Sequence, residues 1–213
     1  MRARLTPSRA ARTEIRRLHK IPVRAVVFAM LVLLPAACGG SSDNISADKM
    51  KQLVLRQQDL GAPFASFYSG PQTQLDNQGT PRADASRDGR EGGWVARYHR
   101  PGSPATRGPL VVESRVDVFK STGGAKKDLG LYRTTFLTVP GAVAHQLAAP
   151  SIGDQALAVT VVQPGGKPLR FYRIAWRYRN ATASVTAEGF NGKLALNNAL
   201  ELVRKQQNLL SHA

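Results

Sequence analysis

"LRFYRIAWRYRNATASVTAEG", residues 169–189, is the stretch that decides the fold class. Side chains along a strand alternate between the two faces of a sheet. Tyr172, Ile174, Trp176 and Tyr178 therefore share one face, with Arg170 at the same parity, while Phe171, Arg173, Ala175, Arg177 and Arg179 take the other. Aromatic and β-branched residues suit such a pleated, half-buried surface, and "RNAT" at 179–182 carries turn residues. The stretch reads as a hairpin with strands over 169–179 and 183–189.

Upstream, "LVVESRVDVFK" (110–120) alternates in the same way, with Val112, Ser114, Val116 and Val118 on one side and Glu113, Arg115 and Asp117 on the other. Strands are also expected over 94–99 and 155–162, the latter turning through "QPGGKP". The period changes after Lys120: Ala125, Leu129, Tyr132 and Phe136 recur at steps of four, three and four, one stripe of a helix. A second helical stripe, Leu194, Ala195, Ala199, Leu202, Val203, Gln206, Leu209 and Leu210, predicts a terminal helix over 192–210. A first helix is expected over 47–59, with Ser46 as its N-cap and Gly61 beyond its end. The expected fold is α+β: a single twisted, mostly antiparallel sheet of about five strands with its helices packed on one face, in the order α-ββ-α-βββ-α. Two stretches rich in Gly, Pro, Asp and Arg, 69–93 and 100–109, read as loops, the first long enough to be a flexible flap.

The chain ahead of this domain has another character. Residues 1–37 hold eight basic residues and one acid, followed from Ala25 to Leu34 by an unbroken apolar run. As a helix that run reaches about 15 Å, half of a bilayer's hydrocarbon core. It has the length of a signal-peptide core, and Ala36 and Ala37 supply small residues for cleavage. Cys38, the only cysteine, follows at once. This arrangement resembles a bacterial lipobox, with Pro35 where that pattern carries an aliphatic residue. The resemblance implies a signal peptide over 1–37, lipid attachment at Cys38 and a tether over 38–44 ("CGGSSDN") leading to a domain over 45–213. A lone exported cysteine has no disulfide partner within the chain.

The order of elements, "DLG" at 59–61, "IGDQAL" at 152–157 and "YRIAWRYRNATASVTA" at 172–187 are together similar to actinobacterial surface lipoproteins and their sensor-type domains, over most of residues 45–213. What this implies is an extracytoplasmic domain at the outer face of a bacterial membrane; it names no reaction.

The whole chain carries +16 from 30 basic and 14 acidic residues; without 1–37 there remain 22 and 13, a net +9. For an exported protein the anionic partners are lipid headgroups and cell-envelope polymers rather than nucleic acid. No phosphate loop, nucleophile elbow or zinc-protease pair is present, and His99, His145 and His212 have no partners at metal-ligand spacing, so neither cofactor nor metal is expected. Glu113 and Asp117 form the one carboxylate pair on a shared strand face, with Arg115 between them. If the aromatic parity meets the helices, the other face displays Arg97, Arg115, Arg173 and Arg177. That is either a solvated face of weak ion pairs or a basic surface that takes an anionic ligand through arginine forks, with Trp94 or Trp176 at its edge. The favoured function is non-enzymatic binding of a ligand or envelope partner. The competing one is an envelope hydrolase with dispersed catalytic residues, which a histidine hydrogen-bonded to a serine in a cleft would favour.

Overall fold

Seven strands, all paired antiparallel, lie side by side in the order β1-β2-β3-β7-β6-β5-β4. They are β1 (Ala65–Pro71), β2 (Arg90–His99), β3 (Val111–Phe119), β4 (Val143–Leu147), β5 (Gln155–Gln163), β6 (Leu169–Tyr178) and β7 (Ala181–Phe190). Three helices accompany them: α1 (Gln57–Leu60), α2 (Thr122–Leu137) and α3 (Leu196–Ser211). This computed structural model describes residues 44–61, 63–73, 82 and 84–213. The expected signal peptide, Cys38, all but the last residue of the tether and residues 74–81 and 83 of the expected flap lie outside the described residues.

The expectation of about five strands is corrected to seven, and the two additions are the sheet's edges. β1 and β4 have no fully buried apolar face: all but one residue of β1 is exposed, and in β4 Val143 is 57% exposed while only Ala144 and Leu147 reach the core in part. Edge strands owe their place to backbone pairing with β2 and β5, which leaves no alternation for a sequence to display.

The expected single-sided packing is corrected as well. α3 lies against one face through Ala199, Leu202, Val203 and Leu210, over the row of Val112, Val116, Ala183, Val185, Ile174 and Trp176. α2 lies against the other, where Leu129, Tyr132 and Phe136 meet Leu157, Val159, Val161 and Ala175. Strand parity makes this unambiguous: Ser114 donates to Gln206 of α3 (2.8 Å), whereas Thr182 donates to Asp128 of α2 (2.6 Å). The α2 stripe is the one its period predicts, and the Ser121 hydroxyl caps it by accepting from the Gly124 amide (3.2 Å).

The expected first helix is replaced by a 3-10 turn, Ala47–Gln52, and the four residues of α1. Leu53, Val54 and Leu55 are all buried, and three successive side chains cannot share one helical stripe. A bend in the backbone after the 3-10 turn buries them, and it is held there: the Leu55 amide donates to Ser114 Oγ (2.9 Å) and its carbonyl accepts from the Tyr98 hydroxyl (2.7 Å). The hairpin at 169–189 closes in two residues, Arg179 and Asn180, with Arg179 at φ 54°. Asn180 ties three segments together. Its Oδ1 accepts from the Ile45 amide (2.7 Å), and its Nδ2 donates to the carbonyls of Ile45 (3.0 Å) and Phe119 (2.7 Å).

Candidate functional site

On the α2 side, side chains of the same parity line up in rows across the sheet. One row crosses all seven strands: Tyr68, Arg97, Glu113, Thr186, Arg173, Val159 and Gln146. α2 crosses the face obliquely. Asp128, in its second turn, meets Thr182 and is joined to Asp117 through Arg82, and its last turn reaches Phe136, beside Arg173. The half of the row on β1, β2 and β3 remains partly open, with the Arg97 side chain 40% exposed.

The centre of this corner is Glu113. Arg97 Nε donates to Glu113 Oε2 (2.7 Å), and Arg115 Nη2 lies 3.2 Å from Glu113 Oε1. Burial alone would push the Glu113 carboxyl up; the charges of Arg115 and Arg97, the hydrogen bond from Arg97 and the charge of Arg173 outweigh it and hold the group below the ordinary carboxylate range. The Arg173 guanidinium lies near the rings of Phe136 (5.8 Å) and Phe171 (5.7 Å), and that of Arg97 near Tyr68 (5.7 Å). Three guanidiniums thus gather about one carboxylate, on a surface edged by Tyr68 and Phe67, the latter 53% exposed.

The expected site residues thus divide. Arg97, Arg115 and Arg173 come together around Glu113. Arg177 does not join them: it stands two rows away, opposite Thr182, and donates to Asp154 (2.7 Å). Trp94 and Trp176 lie on the α3 side, Trp94 donating to Ser69 Oγ (3.0 Å) and the buried Trp176 to Gln207 Oε1 (2.7 Å). Asp117, expected on an open face, is fully buried beneath arginines.

That burial reveals a cluster the sequence reading missed. Arg82 donates to Asp117 (2.8 Å) and Asp128 (3.0 Å), Arg90 to Asp117 (2.6 Å), and Arg87 to Asp128 (3.1 Å from Nε). The Arg82 guanidinium also stacks 3.5 Å from the centre of the Tyr132 ring. Burial opposes the charge on Asp128, but Arg82 and Arg87, with the hydrogen bonds from Arg82 and Thr182, hold its carboxyl below the ordinary range. Tyr132 is pushed up to about 12, chiefly by burial and against the charge of Arg82. One glycine makes room: a Cβ on Gly93 would collide with Arg90 Nη2 and Asp117 Oδ1. A signal existed in the sequence. Asp128 sits beside Leu129 on the stripe running from Ala125 to Tyr132, a charged residue at a core position of α2. The partners were invisible because "PRADASRDGR" (81–90) reads as solvated loop.

A serine–histidine contact also exists, at the end of α3. Ser211 Oγ is 3.3 Å from His212 Nδ1, and His212 lines a cleft of about 460 Å³ with Lys49, Leu53, Arg56 and Leu209. His212 Nδ1 is also 2.7 Å from the Asn208 carbonyl, an acceptor, so this nitrogen carries the proton and cannot take one from Ser211. The Ser211 hydroxyl itself donates to the Asn208 carbonyl (2.9 Å). The pair caps a helix end and has no nucleophile–base geometry. Among the described residues no group of His, Cys, Asp and Glu has the geometry to hold a metal ion, and no helix is long and apolar enough to cross a membrane.

No family model matches the chain, and no curated protein sequence does. Among solved structures the chain is similar to the extracellular domain of PknH from Mycobacterium tuberculosis, with a TM-score of 0.62 at 11% identity, over 81% of this chain and 100% of that one. At that identity the likeness is one of fold.

Proposed function

We propose, from a fold shared with an extracellular mycobacterial domain, that this chain is an extracytoplasmic, non-enzymatic binding module. In this reading it is exported, held at the outer face of a bacterial membrane by lipid on Cys38, and binds an anionic component of the cell envelope. The observation that carries the binding reading is the convergence of Arg97, Arg115 and Arg173 on the single carboxylate of Glu113, in a corner of the sheet that α2 leaves partly open. Planar guanidiniums present paired donors that match phosphate or carboxylate, and Glu113 holds two of them in place before a ligand arrives.

Titration with an acidic glycan and with inorganic phosphate at low salt tests the site. Wild type is expected to bind, Arg97→Ala/Arg173→Ala to lose roughly tenfold or more in affinity, and Trp94→Phe to behave as wild type. Equal binding by all three, or none, would leave the row a solvated surface. The anchor is tested separately: Cys38→Ser should lose label from a radioactive fatty acid and leave the membrane fraction. If mutant and wild type label alike, the lipid assignment fails without touching the binding site.

A further inference from the structure

The end of the sheet farthest from Ile45, where the described chain enters the fold, includes three connections that carry basic residues: 100–110 between β2 and β3, 164–168 between β5 and β6, and 191–195 between β7 and α3. They are laced together. The Gly108 amide donates to the Lys193 carbonyl (3.0 Å), the Asn191 amide to the Pro168 carbonyl (2.9 Å), and the Leu110 amide to the Glu188 carbonyl (2.7 Å). Five cations ride on them or beside them: Arg100, Arg107, Lys167, Arg170 and Lys193. Arg107, Lys167 and Lys193 are exposed. Arg100 and Arg170 direct their donors to neutral groups, Arg100 to the Pro109 carbonyl (2.6 Å) and Arg170 to Asn191 Oδ1 (2.9 Å) and Thr160 Oγ1 (3.0 Å). Among the described residues none of the five has a carboxylate partner. Glu188, beside this end, is half-buried on the α2 side of β7.

The opposite end differs. There Lys127 faces Asp88 (3.7 Å) and Arg177 faces Asp154 (2.7 Å), so basic residues meet acids. The strip at the far end crosses from β2 to β5, four interstrand spacings, or roughly 19 Å. That is longer than one phosphate or carboxylate group can span. On the α2 side one further row, His99, Val111, Glu188 and Phe171, separates it from the row that holds Arg97 and Arg173, and Arg170 carries the parity of the α3 side.

We propose that this strip binds a linear polyanion, whose charged repeats bridge Arg100, Arg107, Lys193, Arg170 and Lys167 while neighbouring repeats reach Arg97 and Arg173. The proposal rests on the anionic-ligand reading above and gives that ligand its class: a polymer carrying phosphate or carboxylate on successive units. Spread cations with no carboxylate partner among the described residues suit charge repeated along a chain, and each bound repeat raises the local concentration of the next.

The test compares long-chain inorganic polyphosphate with tripolyphosphate, using the full-length chain in a non-ionic detergent. Long chains are expected to bind about 10²-fold tighter per molecule. The logarithm of their affinity should fall against that of salt with a slope of roughly 4, as release of several counterions requires, against a much shallower slope for tripolyphosphate. Lys167→Glu/Lys193→Glu, both exposed, should leave near-ultraviolet circular dichroism and tripolyphosphate binding unchanged while reducing long-chain affinity about tenfold or more. Equal affinity for short and long chains, both lost in Arg97→Ala, would overturn the strip and leave the anion site standing. Long-chain binding indifferent to the two reversals would overturn it too. No binding of either probe would sink both readings.

Discussion

The two faces of this sheet are built from strands of the same alternating pattern, yet they are stabilised in different ways. On the α3 side Val112, Val116, Ala183, Val185 and Ile174 meet Ala199, Leu202 and Val203, an apolar layer whose polar members, Ser114 and Gln206, satisfy each other. On the α2 side the apolar layer covers only β5 and β6; over β3 and β7 the core consists of Asp117, Asp128 and three arginines delivered from 82–90. The first face gains stability from removing carbon from water, and tolerates loss in proportion to volume. The second depends on complete pairing, because a buried charge that loses its partner is costly out of proportion to its size. The same difference places the open corner: α2 and the arginine loop cover part of their face, and the row with Glu113 is what they leave.

Removing one ion should break the comparison hardest. Asp128→Ala takes away the carboxylate that the buried Arg82 and Arg87 share, leaving Arg82 on Asp117 and Arg87 on backbone carbonyls, and a loss of about 3–5 kcal/mol in chemical denaturation is expected. A loss below about 1 kcal/mol would mean that water reaches these guanidiniums and that the two faces do not differ in kind.

Leu202→Ala is the matching cut on the α3 side, with an expected loss of about 2–5 kcal/mol. Its distinguishing mark is pH. The Leu202→Ala penalty should be the same at neutral and acid pH, whereas the Asp128→Ala penalty should shrink in acid.

The sign follows from the carboxyls. Asp128 and Glu113 are held below their unfolded values, so their contribution is fully present above the ordinary carboxylate pKa of about 4 and is lost as pH falls through the folded values. Melting temperature should therefore drop on acidification. At the other extreme, Tyr132, raised to about 12, keeps its proton longer folded than unfolded, so its contribution is present below about 10 and lost as pH rises from there to 12. A melting temperature that stays flat on acidification would remove the ionic face from the account.

The smallest effect belongs to the open corner. Arg97→Ala breaks a half-exposed pair with Glu113 and should cost no more than about 1 kcal/mol. A much larger cost would make Arg97 a structural residue and weaken its claim as a ligand contact.

Much of this was legible locally. The parity of 169–189 and 110–120 separated the tryptophans and valines from Arg97, Arg115 and Arg173, and placed Glu113 among those arginines, because a pleat sorts side chains whatever they later meet. The stripes of α2 and α3 were readable for the same reason: a helix shows its buried side every three or four residues. Which face each helix would cover was not written in either period, since both faces of the strands carry enough apolar residues to receive one. The edges β1 and β4 were hidden because their places depend on pairing with a neighbour and not on side chains of their own. Least legible were Arg82, Arg87 and Arg90. Charged residues in a glycine- and aspartate-rich loop read as solvated, and only when the loop folds back over Asp117 and Asp128, residues distant in sequence, does attraction between buried opposite charges outweigh their hydration and turn a flap into core.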